Sequence, residues 1–393
     1  MKARTADSRR IPELDGFRAM LVFLVSWYHI WQQSWWTPRV GSVSLDFLVR
    51  SGYMPVDGTI LLSGFLLFLP YARHMLLGGP YPDWQAFYRK RAARILPSYY
   101  FFLAASFFLI ALPWGLYPTP QYLVKDVFTH LTFTFTFSAE TYIGTPLGAA
   151  CWTLAIEAQA YLLFPLLARA AVKRPAVTFP LMILGAWGFR GYCVWALRDY
   201  AMVVNQLPSF LDVYALGMLG SLAYVKLTAH PAPKGGLSML RQALATLALV
   251  ACLAGVVALL KAQASSGGQV AIQQGQMMRR FPYTALLLGI VLALPLSARP
   301  IRFLMGNRVM GFLAAISMNY YLIHQVVAVH LKRLGIPASV SPTPNQAGEM
   351  PWQMYYTYLT FGLSLLLATL VTFLVERPCG RWLSKRWSNA RNA

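Results

Sequence analysis

The sequence predicts an all-α, polytopic membrane bundle of about ten spanning helices with both termini cytoplasmic. Hydrophobic residues make up 57% of the 393 residues and charged residues only 12%. That balance excludes a soluble enzyme, a disordered chain and a small disulfide-stapled domain. Apolar runs of about 20 residues, the length that crosses a hydrocarbon core, recur along the chain. The charged residues are lopsided: 34 Lys+Arg against 13 Asp+Glu, a formal +21. In an apolar chain such an excess is first a topogenic signal, because Lys and Arg collect on the cytoplasmic side.

The elements follow in order. The first apolar run, 14–36, is too long for a signal-peptide core and reads as the first span. The next nine are 53–70, 95–112, 151–168, 176–197, 208–226, 242–260, 282–298, 309–330 and 352–375; of the ten, the second, 53–70, and the eighth, 282–298, are short or interrupted. The connection 113–150 is rich in aromatic residues and Thr, and 261–281 in Gly and Gln. No internal repeat is evident, so 1–393 reads as one transmembrane unit with cytoplasmic tails at about 1–13 and 376–393. With the N-terminus inside, 23 of the Lys and Arg residues fall on the cytoplasmic side, including Lys2, Arg4, Arg9, Lys234 and Arg377. Nine fall outside, among them Arg198, Arg279 and Arg280, and Arg18 and Arg190 lie within helices. This split orients an even number of spans and leaves no case for nucleic acid. Cys151, Cys193, Cys252 and Cys379 lie far apart, without metal-ligand or redox spacing.

Ionisable residues inside a membrane are costly and usually face a cavity or each other. By helical rise, His29, Asp57, Glu157, Arg190, Asp212 and His324, from six different spans, all fall in the outer half of the bilayer. They form either a site or a set of structural ion pairs, Arg190 with Asp212 or Glu157 for example. Arg18 and His29 are 11 residues apart. On a helix that puts them on one face, about 16 Å apart along the axis. A permanent cation near the cytoplasm thus shares a face with a base near the outside. Arg18 could instead pair with Asp15 at i,i+3. Arg91 and Arg94, also i,i+3, stand at the inner mouth of the third span, where they could clamp phosphate.

These same residues carry a family resemblance. Leu14-Asp15-Gly16-Phe17-Arg18 followed by His29 is one motif. Val56-Asp57 with Leu62-Ser63-Gly64-Phe65, Arg91-Ala92-Ala93-Arg94, Trp152 to Glu157, Gln159 to Pro165, Tyr321-Leu322-Ile323-His324 and Glu376-Arg377-Pro378 follow in order. The ordered set resembles the acyltransferase 3 family of integral membrane O-acyltransferases over nearly the whole chain. The chain departs from that pattern at Gly58-Thr59-Ile60, Ala158 and Ala160, where bulkier or acidic residues are usual; the smaller side chains imply a roomier site.

The resemblance implies an acyl-CoA donor on the cytoplasmic side, acetyl-CoA by default, and a carbohydrate or glycosylated small-molecule acceptor, often extracytoplasmic. It implies a multi-pass protein of the plasma (inner) membrane, with no permanently bound cofactor and no metal. The expected assignments are these. Arg18, Arg91 and Arg94 hold the CoA phosphates. His29 is the general base, oriented by Asp57 or Glu157. His324, Tyr321, Asp212 and Arg190 contact the acceptor. Ser63, Tyr321 or Asn319 could stabilise the oxyanion. An acyl-histidine intermediate is the variant route. Glu376 is expected to pair with Arg377 or Arg381. Part of the aromatic group at the end of the first span could stack on sugar rings, and 113–150 could cover the outer site. The rival reading is a proton-coupled transporter or flippase of a sugar-linked lipid, which buried His, Asp, Glu and Arg would also suit.

Overall fold

A computed structural model describes residues 10–197, 200, 202–229 and 235–392; Lys2, Arg4, Arg9, Arg198 and Lys234 lie outside the described residues. The fold is an all-α bundle whose one sheet among the described residues is a two-stranded hairpin, Arg39–Val40 with Val43–Ser44. The long helices are α1 (Pro12–Ser34), α2 (Val56–Leu77) and α3 (Trp84–Ser106), with α3 continued by a π-turn over Phe107–Ala111. A short helix, α4 (Pro120–Leu131), lies in the following connection. Then come α5 (Trp152–Lys173), α6 (Pro175–Ala196), α7 (Leu211–Thr228), α8 (Gly236–Ala264), α9 (Gln269–Ala293), α10 (Arg308–Arg333), α11 (Met350–Val371) and α12 (Arg377–Asn392). Among the described residues nine helical stretches are long and apolar enough to cross a membrane. The tenth expected span, α1, has the length at 23 residues but is more polar, carrying Asp15, Arg18, His29, Gln32 and Gln33. It packs against α10 and α2, and its polar side chains line cavities or pair locally, Asp15 with Arg10 and Arg18 and Gln32 with His29 and Tyr28.

Two spans are longer than the sequence pattern suggests. Pro70 and Pro282 look like helix boundaries, yet each lies inside its helix, α2 and α9. In a membrane, neighbouring helices can satisfy the backbone groups that a proline frees, so proline need not end the span. For α9 the consequence is large. The helix begins at Gln269, just after Gly268 in a left-handed conformation (φ 79°), so most of the expected outer connection 261–281 is helix. Arg377 onward, expected as a tail, is likewise helical, and α12 packs back against α3.

The tightest seam joins α2 to α7. A Cβ at Gly217 would stand 2.3 Å from the Leu61 carbonyl oxygen, and one at Gly64 2.8 Å from that of Tyr214. Small residues let backbones approach this closely, which is how helices gain packing energy in lipid. The approach fixes Asp57 and Ser63 on α2 relative to Asp212 on α7. Of the departures Gly58, Thr59 and Ala160, only Thr59 opens onto the central cavity; a Cβ at Gly58 would meet Leu21 and Leu287 at 2.7 and 3.1 Å. Gly217→Leu should force α2 and α7 apart and cost about 1–3 kcal/mol or more. Gly236→Ala, with nothing within 4 Å, should be neutral. Thermal unfolding in detergent compares the two.

Candidate functional site

Two cavities meet inside the bundle. The first is lined by Arg18, Ser63, Arg91, Arg94, Glu157 and Tyr161 among others; the second by Tyr28, His29, Gln32, Tyr142, Trp152 and Gln276 among others. Val25, Val56 and Tyr321 border both, forming a waist. The first is narrow, with about 110 Å³ of room, and the second wider, about 620 Å³. The two chambers thus adjoin along α1, with Arg18 lining one and His29 the other.

The arginine chamber is short of counter-charge. Its lining holds three guanidiniums and one carboxylate. Arg18 Nη2 lies 3.3 Å from Asp15 Oδ1, the expected i,i+3 contact, but Asp15 is also bound by Arg10. Among the described residues Arg91 and Arg94 form no ion pair, and Arg91 instead lies over the Phe87 and Tyr161 rings at 6.0 and 5.9 Å. The Nε atoms of Arg18 and Arg91 are buried without a hydrogen-bond partner. Glu157 accepts from Ser63 Oγ at 3.0 Å and from the Tyr161 hydroxyl at 3.2 Å. Partly desolvated cations with spare donors favour an anion, phosphate above all.

The opposite chamber holds the histidine. His29 Nδ1 is 3.1 Å from Gln32 Oε1, and Gln32 Nε2 donates to the Tyr28 hydroxyl at 3.0 Å. An amide oxygen only accepts, so His29 carries its proton on Nδ1 and leaves the Nε2 lone pair free. His324 lies nearby, ring centroids 5.3 Å apart and planes tilted by 42°. Its Nδ1 is held by the Tyr321 carbonyl at 2.7 Å, and its Nε2 is buried without a partner. Tyr321 donates its hydroxyl to Ala150 O at 2.8 Å.

The six ionisable residues of the outer half therefore do not form one cluster. His29 and His324 pair at one chamber, Glu157 faces the other, and the remaining three serve a separate ion network. Asp57, expected beside His29, pairs with Arg280 Nε at 3.3 Å. Arg280, expected in an outer loop, is fully buried, with Nη1 donating to Ser209 Oγ at 2.5 Å and Val204 O at 2.9 Å. Arg190 and Asp212, expected to touch the acceptor, bind each other through two contacts of 2.5 and 3.0 Å, with Trp187 Nε1 donating to Asp212 at 3.2 Å. Neither lines either cavity. Asp57 and Asp212 are spent on buried guanidiniums and Glu157 on the Ser63 and Tyr161 hydroxyls, so Gln32 rather than Asp57 or Glu157 orients the imidazole. Asn319 is also committed elsewhere, donating to Thr372 Oγ1 at 2.8 Å and Glu376 Oε2 at 2.6 Å. That contact replaces the expected pairing of Glu376 with Arg377, which lies over the Phe373 ring at 4.2 Å.

The sequence reading overlooked Arg280 because Pro282 looked like the start of a span. The pair Gly267-Gly268 was the better boundary signal. It also passed over Gln32, at i,i+3 from His29, because only ionisable partners were sought. The 113–150 connection does reach the site, through Tyr142 and Ile143 in the wall of the second chamber.

A family model described as an acyltransferase domain matches residues 11–376. No curated protein and no solved structure matches the chain.

Asp57→Asn and Arg280→Gln should each cost about 3–5 kcal/mol, because each strands the partner's polar group in the bundle. The double variant should lose less than the sum. A thermal-stability cycle in detergent measures this coupling.

Proposed function

The chain belongs to the acyltransferase 3 family of membrane acyltransferases, and we propose that it moves an acyl group from acyl-CoA, acetyl-CoA by default, to a hydroxyl of a carbohydrate or glycosylated acceptor. The observation that carries this reading is the pair of adjoining chambers, one lined by three arginines and the other by a histidine. The two have different chemistry, as a reaction between two unlike substrates requires. Family membership favours acyl transfer over the proton-coupled carrier or flippase.

The donor's phosphates belong at Arg18, Arg91 and Arg94, on the cytoplasmic side of the plasma membrane. The chamber there is too narrow for a nucleotide but suits an extended thioester arm. Arg18 and His29 are separated by about 16 Å of helix, a span that such an arm covers. The thioester carbon then lies near the waist, and the acceptor hydroxyl enters from the wider chamber. His29 Nε2 takes the hydroxyl proton as the oxygen attacks. Gln32 holds the ring so that Nε2 faces that chamber. The tetrahedral intermediate collapses with cleavage of the C–S bond, and the leaving thiolate takes a proton from the imidazolium. The products are an ester and free CoA. Of the donors considered for the oxyanion, Asn319 is bonded to Glu376 and Ser63 to Glu157; Tyr321 borders both chambers, and its hydroxyl would turn from Ala150 O to the oxyanion. His324, expected to contact the acceptor, lines neither chamber and packs against His29 instead. Glu157 stands on the donor's path with Ser63 and Tyr161.

Purified protein supplied with labelled acetyl-CoA and a panel of glycosides tests this reading. Wild type should release CoA and label an acceptor, and His29→Ala should lower both rates by about two to four orders of magnitude, the usual contribution of a general base. Undiminished turnover in His29→Ala would contradict the assignment. Arg91→Ala with Arg94→Ala should raise the KM for acetyl-CoA at least about tenfold, the cost of one lost charge-assisted contact. An unchanged KM would remove the phosphates from these arginines.

A further inference from the structure

We propose that one face of α9, presenting Gln269, Gln273 and Gln276, reads the acceptor, and that it selects an uncharged polyhydroxylated molecule over an anionic one. This rests on the transfer reading above. It goes beyond it by naming the residues that choose the acceptor and the charge they require.

The spacing is i, i+4, i+7, which places the three amides on one helical face. All three line the chamber that holds His29. A polar face on a helix end is ordinarily solvent-exposed, but Gln276 is only 8% exposed. Among the described residues none of the three amides makes a hydrogen bond, whereas Gln274 on another face donates to the Tyr200 hydroxyl at 3.1 Å. The other amides of the chamber are engaged: Gln32 with His29 and Tyr28, and Gln325 accepting from Ala150 N at 2.6 Å. Gln276 is therefore a residue only 8% exposed whose amide, without a protein partner, opens into the chamber that His29 lines. A ligand hydroxyl entering there can take the place of water on that amide.

The rest of the lining narrows the ligand's chemistry. Among the described residues no Asp, Glu, Lys or Arg lines this chamber. Of the nearby cations, Arg280 is paired with Asp57, and Arg279 lies outside the lining and is turned to Gln263 Oε1 at 2.6 Å. A carboxylate or phosphate brought here would lose water without gaining a cation, an unfavourable exchange. Hydroxyls face no such penalty. Each glutamine amide offers two donors and an acceptor, which matches the mixed character of neighbouring hydroxyls. Tyr28, Tyr53, Tyr142 and Trp152 add flat rings for the apolar faces of a cyclic polyol. Sites built to bond hydroxyls reject analogues that lack them strongly, because the protein groups are then stranded.

The test uses the purified full-length protein, acetyl-CoA, and matched pairs of neutral pyranosides and their uronates. Transfer to the neutral member should exceed transfer to the uronate at least about tenfold in kcat/KM. Gln276→Leu and Gln273→Leu should each raise the KM for the neutral acceptor about tenfold, the loss of one to two hydrogen bonds, with a smaller change in the KM for acetyl-CoA. Gln273 is less buried, so its variant keeps the question open to measurement if Gln276→Leu folds poorly. CoA release with equal or greater transfer to uronates would overturn this proposal alone. So would an acceptor KM unmoved in both variants. No CoA release with any member of the panel would overturn the transfer reading and this proposal with it.

Discussion

A guanidinium inside a membrane must be paired, and the arrangement of this bundle follows from which arginines are paired and which are not. Arg280 and Arg190 are matched with Asp57 and Asp212, and together they knit α2, α6, α7 and α9 around the turn Leu207–Phe210. That network uses two of the carboxylates which, by depth alone, could have served the histidine. What remains, among the described residues, is a chamber with three arginines facing a single glutamate, and a second chamber with no Asp, Glu, Lys or Arg in its lining. In the proposed reaction that asymmetry sets the direction: anionic ligand at the arginine end, neutral ligand at the other.

The close seam between α2 and α7 supports the same division. Because Gly64 and Gly217 let the backbones approach so closely, Asp57, Ser63 and Asp212 are held by main chain rather than by flexible side chains. Ser63 then fixes Glu157, and Asp57 fixes Arg280. Two glycines thus constrain both the structural ion network and the wall of the arginine chamber. Family membership is consistent with this economy, since Ser63-Gly64 belongs to the same motif as Asp57.

Much of this was legible in the sequence, and the reasons differ by residue. The spans were visible because about 20 apolar residues in a row have few other uses. The alignment of Arg18 with His29 was visible because it depends on one helix alone, whose geometry is fixed. The pairing of Asp57 with Arg280 was not, because it depends on where α9 begins and how it sits against α2. Pro282 concealed that start, since proline is a poor guide to helix ends in a membrane. Gln32 was within reach of sequence reasoning, one turn from His29, yet a carboxylate seemed the more obvious partner. Gln269, Gln273 and Gln276 were visible only as a Gln-rich connection, because their common face exists only once the segment is helical.

The account's central claim is that the arginine chamber and His29 serve one reaction from opposite sides of one membrane. The most direct test is stoichiometry in oriented proteoliposomes, with acetyl-CoA confined to the compartment facing Arg18, Arg91 and Arg94 and the acceptor to the other. The account predicts that CoA accumulates with the donor and acylated product with the acceptor, in equal amounts. Transfer only when both substrates share a compartment would contradict it.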